Sequence, residues 1–281
     1  MLATPVVDAP IGVFDSGIGG LSVLGALRAE LPQEDFVYVA DSGHAPYGER
    51  DEAHVIARSR AILRHLRERH GIKALVIACN TATAAAVRLL RQEHPGFTIV
   101  GIEPALKPAV ASSQTRRIGV MATRGTLASV KFHALLDSLA GQADFVIQPC
   151  AGLADAIEQE SRSGNATKTI ALCEQYTGAM GDFGQEDRQI DTLVLGCTHY
   201  PFAADHLRAR VGPAVHFIEP GAPVARHTRR RLDAAGLLRP ADVPRGGRIE
   251  LQATGQPDAL QAAARRWLNL DVPVRALPEN Q

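Results

Sequence analysis

Two stretches of this chain end an apolar run in a thiol and then present hydrogen-bonding side chains. The first is Leu75-Val76-Ile77-Ala78-Cys79-Asn80-Thr81-Ala82-Thr83; the second is Leu193-Val194-Leu195-Gly196-Cys197-Thr198-His199-Tyr200-Pro201. Short runs of β-forming apolar residues closed by turn residues predict buried parallel strands, and open α/β sheets present ligands at the carboxyl ends of such strands. A thiolate is a nucleophile and a base, and His199, two residues beyond Cys197, can tune a thiol or act as a base itself. Two strand-end cysteines of this kind point to a pair of thiols that face one substrate from opposite sides.

The plainer readings weigh against this one. A cysteine in an apolar run is most often a small buried hydrophobe, and Cys150 beside Pro149 and Cys173 in a helical stretch read that way. Cys150 also stands at a strand end, but Cys79 and Cys197 differ because each sits at the switch from strand to loop and is followed by hydroxyl, amide or imidazole groups. Zinc would want three or four Cys or His ligands at compact spacing. His44, Cys79, Cys197 and His199 are the only candidate set and show no such spacing, so no metal is expected. A Cys/His hydrolase would use one cysteine and leave the other unexplained.

The elements that must position these groups alternate between β and α. Residues 11–14 form a strand that stops at Asp15-Ser16; Gly17, Gly19 and Gly20 turn the chain into a helix through Leu21, Val23, Leu24 and Leu27. The spacing departs from the dinucleotide fingerprint, so nucleotide binding is not expected. Glycine there can instead let backbone N–H groups approach an anionic ligand at a helix N-terminus. Phe36–Ala40 is the second strand and leads into Asp41-Ser42-Gly43-His44-Ala45-Pro46-Tyr47-Gly48, a ligand-contact loop or a surface turn. A helix over 51–70 buries Val55, Ile56, Ile62, Leu63 and Leu66. The first cysteine strand, a helix over 84–93 and a strand over 97–102 follow, and Glu103-Pro104 begins a crossing segment.

The polar residues 112–117 lead to a second unit. Its opening, Ile118-Gly119-Val120-Met121-Ala122-Thr123-Arg124-Gly125-Thr126, echoes the strand, polar pair and Gly at residues 11–17. The two cysteine strands lie at a similar separation, which suggests a degenerate internal duplication. A strand over 144–148, helices over 153–160 and 167–180, a helix ending near Val211 and a strand over 216–218 come next. A helix over 222–235, a strand over 249–253 and a helix over 257–268 complete the pattern. Such alternation predicts two α/β units with parallel sheets between helical layers, the terminal segments returning to the first.

Composition bounds the function. The chain has 281 residues, 46% hydrophobic and 21% charged, which is ordinary for a globular protein and long enough for two domains. Thirty basic and thirty acidic residues cancel, so neither nucleic acid nor a membrane is expected as the main partner. The cluster Arg226-His227-Thr228-Arg229-Arg230-Arg231 reads as a solvated helix face. No apolar stretch reaches the ~18 residues of a membrane span. Met1-Leu2-Ala3-Thr4-Pro5 lacks the features of a secretory signal. The four cysteines are widely separated and free thiols are expected, so the cytoplasm is the expected compartment.

Four segments carry a family resemblance: Phe14-Asp15-Ser16-Gly17-Ile18-Gly19-Gly20-Leu21-Ser22-Val23, Ala40-Asp41-Ser42 with Pro46-Tyr47-Gly48, Ala78-Cys79-Asn80-Thr81-Ala82, and Gly196-Cys197-Thr198-His199-Tyr200-Pro201. Together they resemble the cofactor-independent aspartate/glutamate racemase superfamily, and within it the glutamate racemases. The triplet Gly43-His44-Ala45 after Ser42 departs from the common pattern of that family. The resemblance implies two similar three-layer α/β domains with mostly parallel sheets, 1–105 plus 219–281 and 106–218, and an active site in the cleft between them. It implies interconversion of L- and D-glutamate for peptidoglycan synthesis, with no cofactor and no metal; no lysine stands in a Schiff-base motif. Cys79 and Cys197 would be the acid/base thiols, Asp15 assisting the first, His199 and Glu158 the second. Asp15, Ser16, Asp41, Pro46, Tyr47, Gly48, Asn80, Thr81, Thr123, Thr198 and His199 would hold glutamate, the small-molecule partner. Oligomeric state is open, a homodimer included. The alternatives are an aspartate or other amino-acid racemase of the superfamily, or a non-catalytic ligand-binding module with structural thiols.

Overall fold

The computed structural model of the protein describes residues 6–240 and 247–278. The segment Met1-Leu2-Ala3-Thr4-Pro5, on which the expectation of no secretory signal rests, lies outside the described residues. Two compact units divide the chain, Met1–Ile102 with Gly221–Gln281, and Glu103–Pro220. The first unit opens with β1 (Ile11–Asp15), α1 (Leu21–Glu30), β2 (Phe36–Ala40), α2 (Glu52–His70), β3 (Ala74–Ile77), α3 (Asn80–Glu93) and β4 (Thr98–Gly101). The second carries α4 (Leu106–Ser112), β5 (Arg117–Ala122), α5 (Arg124–Leu127), α6 (Val130–Asp137), β6 (Asp144–Pro149), α7 (Leu153–Ser163), α8 (Thr167–Gly178), β7 (Thr192–Leu195), α9 (Ala204–Val211) and β8 (His216–Ile218). The chain then returns to the first unit with α10 (Gly221–Ala234), β9 (Ile249–Ala253), α11 (Pro257–Leu268) and β10 (Val274–Ala276).

Both sheets are parallel throughout, ordered β10-β9-β2-β1-β3-β4 and β6-β5-β7-β8. Strands covered on both faces need nearly continuous apolar sequence, and β1, β2 and β3 are buried along their whole length. In the first unit Phe14, Val37, Val39, Leu75 and Ile77 join Val55, Ile62, Leu63 and Leu66 of α2 and Val87 and Leu90 of α3 in one core. Side chains alternate across a strand, so the fully buried Ile11 and Val13 face the opposite side. In the second unit Met121, Leu193 and Leu195 pack with residues of α7, α8 and α9. Ile118, Val120 and Val194 pack with Leu106, Val110 and Phe132.

The order β2-β1-β3-β4 recurs as β6-β5-β7-β8, and the resemblance extends to individual hydrogen bonds. Asp41 N donates to Asp15 O at 2.9 Å, as Cys150 N does to Ala122 O at 2.9 Å. Ala78 N donates to Phe14 O at 2.8 Å, as Gly196 N does to Met121 O at 2.7 Å. Cys79 and Cys197 each come next, so the two thiols occupy equivalent places in a repeated motif.

Several elements differ from the sequence reading. The helix after the first cysteine strand begins at Asn80 rather than 84, because Cys79 itself caps it. The short helices α4, α5 and α6 and the three-residue strand β10 carry too few periodic apolar residues to be read in advance.

A buried ionic knot ties the two ends of the first unit together. Lys73, 0% exposed, lies 2.5 Å from Glu34 Oε2, and its Nζ donates to Val7 O at 2.6 Å. Arg239, 3% exposed, donates to Gln33 O and Asp8 O at 2.6 and 2.8 Å, and its backbone N donates to Glu34 Oε1 at 2.9 Å. Burial pulls the Lys73 ammonium below its ordinary pKa, against the opposing pull of Glu34. Removing one partner of a buried pair typically costs about 3–5 kcal/mol. Lys73→Met is therefore expected to lower the unfolding free energy by about that amount in urea denaturation. A loss below ~1 kcal/mol would mean that the knot is not what holds these ends.

Candidate active site

In the strand order 2-1-3-4 the chain winds one way from β1 to β2 and the other way to β3. The loops after β1 and β3 therefore diverge and leave a crevice at the carboxyl edge, where α/β folds take their ligands. In the first unit those loops carry Asp15-Ser16 and Cys79-Asn80. Cys79 is 5% exposed; its Sγ lies 3.9 Å from Ser16 Oγ and accepts from Ala82 N at 3.4 Å as the N-cap of α3. Donors at a helix N-terminus favour negative charge on the group that caps it. Asp15 is wholly buried, and its Oδ1 accepts from Ser16 Oγ at 3.0 Å and Gly17 N at 3.3 Å.

Asn80 follows at 5% exposure, and both atoms of its side-chain amide are buried with no hydrogen-bond partner. An orphaned buried polar group costs about 1–3 kcal/mol, a penalty that a polar ligand would relieve. Thr81 lies half-buried beside it. The glycine turn before α1 serves packing as much as ligand approach. A Cβ on Gly20 would lie 2.7 Å from Asp15 Cβ and 2.8 Å from Tyr38 Oη, and that hydroxyl donates to Gly17 O at 2.6 Å.

After β2 the loop 41–48 carries Asp41, Pro46, Tyr47 and Gly48. Asp41 is 0% exposed and engaged by four side chains: Tyr47, Arg58, Thr254 and His44. Burial alone would raise its pKa, but the hydrogen bonds from Arg58, Tyr47 and Thr254 hold it below the ordinary carboxylate value. Burial and the charge of Asp41 together push the Tyr47 hydroxyl well above its ordinary pKa, so it stays protonated and donates to Asp41. Pro46 and Gly48 flank it half-buried. Sequence reasoning missed Arg58 and Thr254. A signal for Arg58 was present: it sits between Val55 and Ile62, on the apolar stripe of α2, where a guanidinium needs a partner.

The second unit repeats the layout with different chemistry. Thr123 follows β5 and caps α5, accepting from Thr126 N at 3.3 Å. Cys197 follows β7 at 7% exposure, with Sγ 3.7 Å from His199 Nδ1. His199, 5% exposed, places Nε2 2.9 Å from Glu158 Oε1 of α7. Glu160, two positions on, faces His206 instead, at 3.4 Å. Thr198 is 2% exposed. A Cβ on Gly196 would meet Met121 O at 2.8 Å, so only glycine lets β7 deliver its cysteine this close to β5.

Among the described residues, no cluster of three or more His, Cys, Asp or Glu is arranged to hold a metal ion. The four cysteines are free. Burial pushes the Cys173 thiol up to about 12 and the Cys150 thiol up as well, which suits inert core positions. Arg226, Arg229, Arg230 and Arg231 are exposed on α10. No described helix is long and apolar enough to cross a membrane.

Two α/β units whose parallel sheets share one four-strand order are the kind of fold found in racemases. The sequence profile of the Asp/Glu/Hydantoin racemase family matches residues 20–228, and the chain belongs to that family. It is 48% identical over 231 residues to the glutamate racemase of Methylococcus capsulatus, covering 82% of each chain. Among solved structures it resembles the glutamate racemase isoform RacE1 of Bacillus anthracis, at 30% identity and a TM-score of 0.81, over 96% of this chain and 97% of that one. It also resembles the Escherichia coli glutamate racemase solved with L-glutamate and the activator UDP-MurNAc-Ala, at 27% identity and a TM-score of 0.81, over 96% and 98%.

His199 carries a pH signature. Burial alone would lower its pKa, but hydrogen bonds to Cys197 and Glu158 raise it well above the ordinary value. A raised folded-state pKa gives stability that is complete below the unfolded value of ~6.5 and lost as pH climbs through the folded one. An NMR titration is expected to find the His199 ring losing its proton at a higher pH than an ordinary histidine does, because its partners Cys197 and Glu158 favour the charged form. The stability gap to His199→Gln should narrow as pH rises further. A ring that titrates near ~6.5 would contradict this pairing.

Proposed function

We propose that this chain interconverts L- and D-glutamate without a cofactor, with Cys79 and Cys197 as the two proton-transfer groups. The observation that carries the reading is the equivalence of the two thiols in a repeated motif. Each stands beside a carboxylate-linked hydrogen-bond chain, Ser16–Asp15 in one unit and His199–Glu158 in the other. The similarity to glutamate racemases over most of the chain supports the substrate. In this reading one thiolate removes the α-proton from one face while the opposed thiol returns a proton to the other. A single base reaches both faces poorly, so two opposed groups are the economical geometry.

A turnover near ~10 per second corresponds to a barrier of about 16 kcal/mol. A thiolate alone falls short of that against so weak a carbon acid. Donors that stabilise charge developing on the α-carboxylate supply the remainder, and Ser16, Asn80, Thr81, Thr123 and Thr198 are proposed for substrate contacts with Pro46, Tyr47 and Gly48. Asp15 and His199, the latter held by Glu158, assist their cysteines. The product is a D-amino acid of peptidoglycan, and the proposed compartment is the cytoplasm, where thiols stay reduced.

The test is a circular dichroism assay on L- and D-glutamate with no added cofactor, with aspartate as the control for the broader family. Cys79→Ser and Cys197→Ser are each expected to lower kcat by at least ~10²-fold while the folded spectrum is kept. Undiminished racemisation in either variant would defeat the two-thiol reading.

A further inference from the structure

The 41–48 loop of the first unit is anchored from behind by groups drawn from distant parts of the chain. Arg58 of α2 grips Asp41 with two parallel bonds, Nε to Oδ2 and Nη2 to Oδ1, each 2.9 Å. Thr254, one residue past β9, donates from Oγ1 to Asp41 Oδ1 at 2.8 Å and accepts from Gly43 N at 3.2 Å. His44 Nδ1 lies 3.1 Å from Oδ1, and the Tyr47 hydroxyl donates to Oδ2. An ionised carboxylate offers about four lone-pair sites, and five donor atoms already converge on this one. Asp41 therefore has nothing left to offer a ligand.

What that saturation does is fix direction. Bidentate pairing to a guanidinium sets the plane of a carboxylate, and the plane sets where Oδ2 accepts the Tyr47 hydroxyl. Gly43 belongs to the same device: a Cβ there would lie 2.9 Å from Thr254 O, so the loop and the returning segment are in close backbone contact.

We propose that Arg58 and Thr254 are positioning residues for substrate binding, acting through Asp41 to hold Tyr47 and the Pro46–Gly48 turn. This rests on the reading of the chain as a glutamate racemase. Asp41 then belongs to the support of the site rather than to its substrate contacts.

The test is steady-state kinetics on Arg58→Ala, Thr254→Val, Tyr47→Phe and the Arg58→Ala/Tyr47→Phe double variant. Arg58→Ala is expected to raise KM for glutamate about tenfold with kcat within about threefold, and the double variant to be no worse than the worse single one, the mark of residues acting as a unit. Thr254→Val keeps the volume and removes one hydroxyl. It should raise KM several-fold, and Thr254→Ser should restore it; this pair carries the test if Arg58→Ala does not fold. Unchanged KM in the folded variants, or multiplicative effects in the double variant, would overturn the proposal and leave a purely structural clamp. If the unaltered protein does not racemise glutamate, the reading of its function falls and this proposal with it. If it does and the variants keep KM, only this proposal falls.

Discussion

Under the two-thiol proposal, a sulfur takes up and releases a proton while almost wholly buried, and so depends on charge-bearing neighbours that the protein itself supplies. That constraint shapes both units. Cys79 and Cys197 are only 5% and 7% exposed, and water cannot be the main partner of a thiolate in either place. The other two cysteines, Cys150 and Cys173, are pushed towards the neutral thiol by burial in the core. What separates the pairs is less depth than position. Cys79 and Cys197 follow the inner strands β3 and β7, whereas Cys150 follows the edge strand β6 and Cys173 lies within α8.

The two units meet the same requirement with different groups. Cys79 caps a helix, and the backbone N–H of Ala82 points at its sulfur. Cys197 is met by an imidazole held from behind by a carboxylate. The repeated strand order places them alike, while the side chains that follow each strand have diverged. Close backbone approach is a shared condition: Gly20 and Gly196 stand where a Cβ would strike Asp15 and Met121. Precision at the sulfur thus rests on packing one layer further out.

Much of the candidate site was legible because its signal is local. Apolar runs ending in Cys-Asn-Thr and Cys-Thr-His announce their strands, their switch to loop and their polar termini within nine residues each. The parallel sheets followed from alternation, and the duplication from the echo of residues 11–17 in 118–126. The contacts that were not legible are long-range ones. Thr254 reaches Asp41 across 213 positions, and nothing in the local sequence of either announces the other. The ionic knot of Glu34, Lys73 and Arg239 is of the same kind. Short elements such as β10 and α5 escaped because three or four residues cannot display a period.

The most direct measurement of the central claim, that separate thiols serve the two faces of one α-carbon, is the fate of label during early turnover in deuterated water. Starting from a single enantiomer, the account predicts that product carries α-deuterium from its first appearance while recovered substrate stays unlabelled. Each thiol bears a single exchangeable hydrogen, and the one that removed the substrate proton can return only that proton. Deuterium entering substrate as fast as product, or product formed with its original hydrogen, would contradict the account.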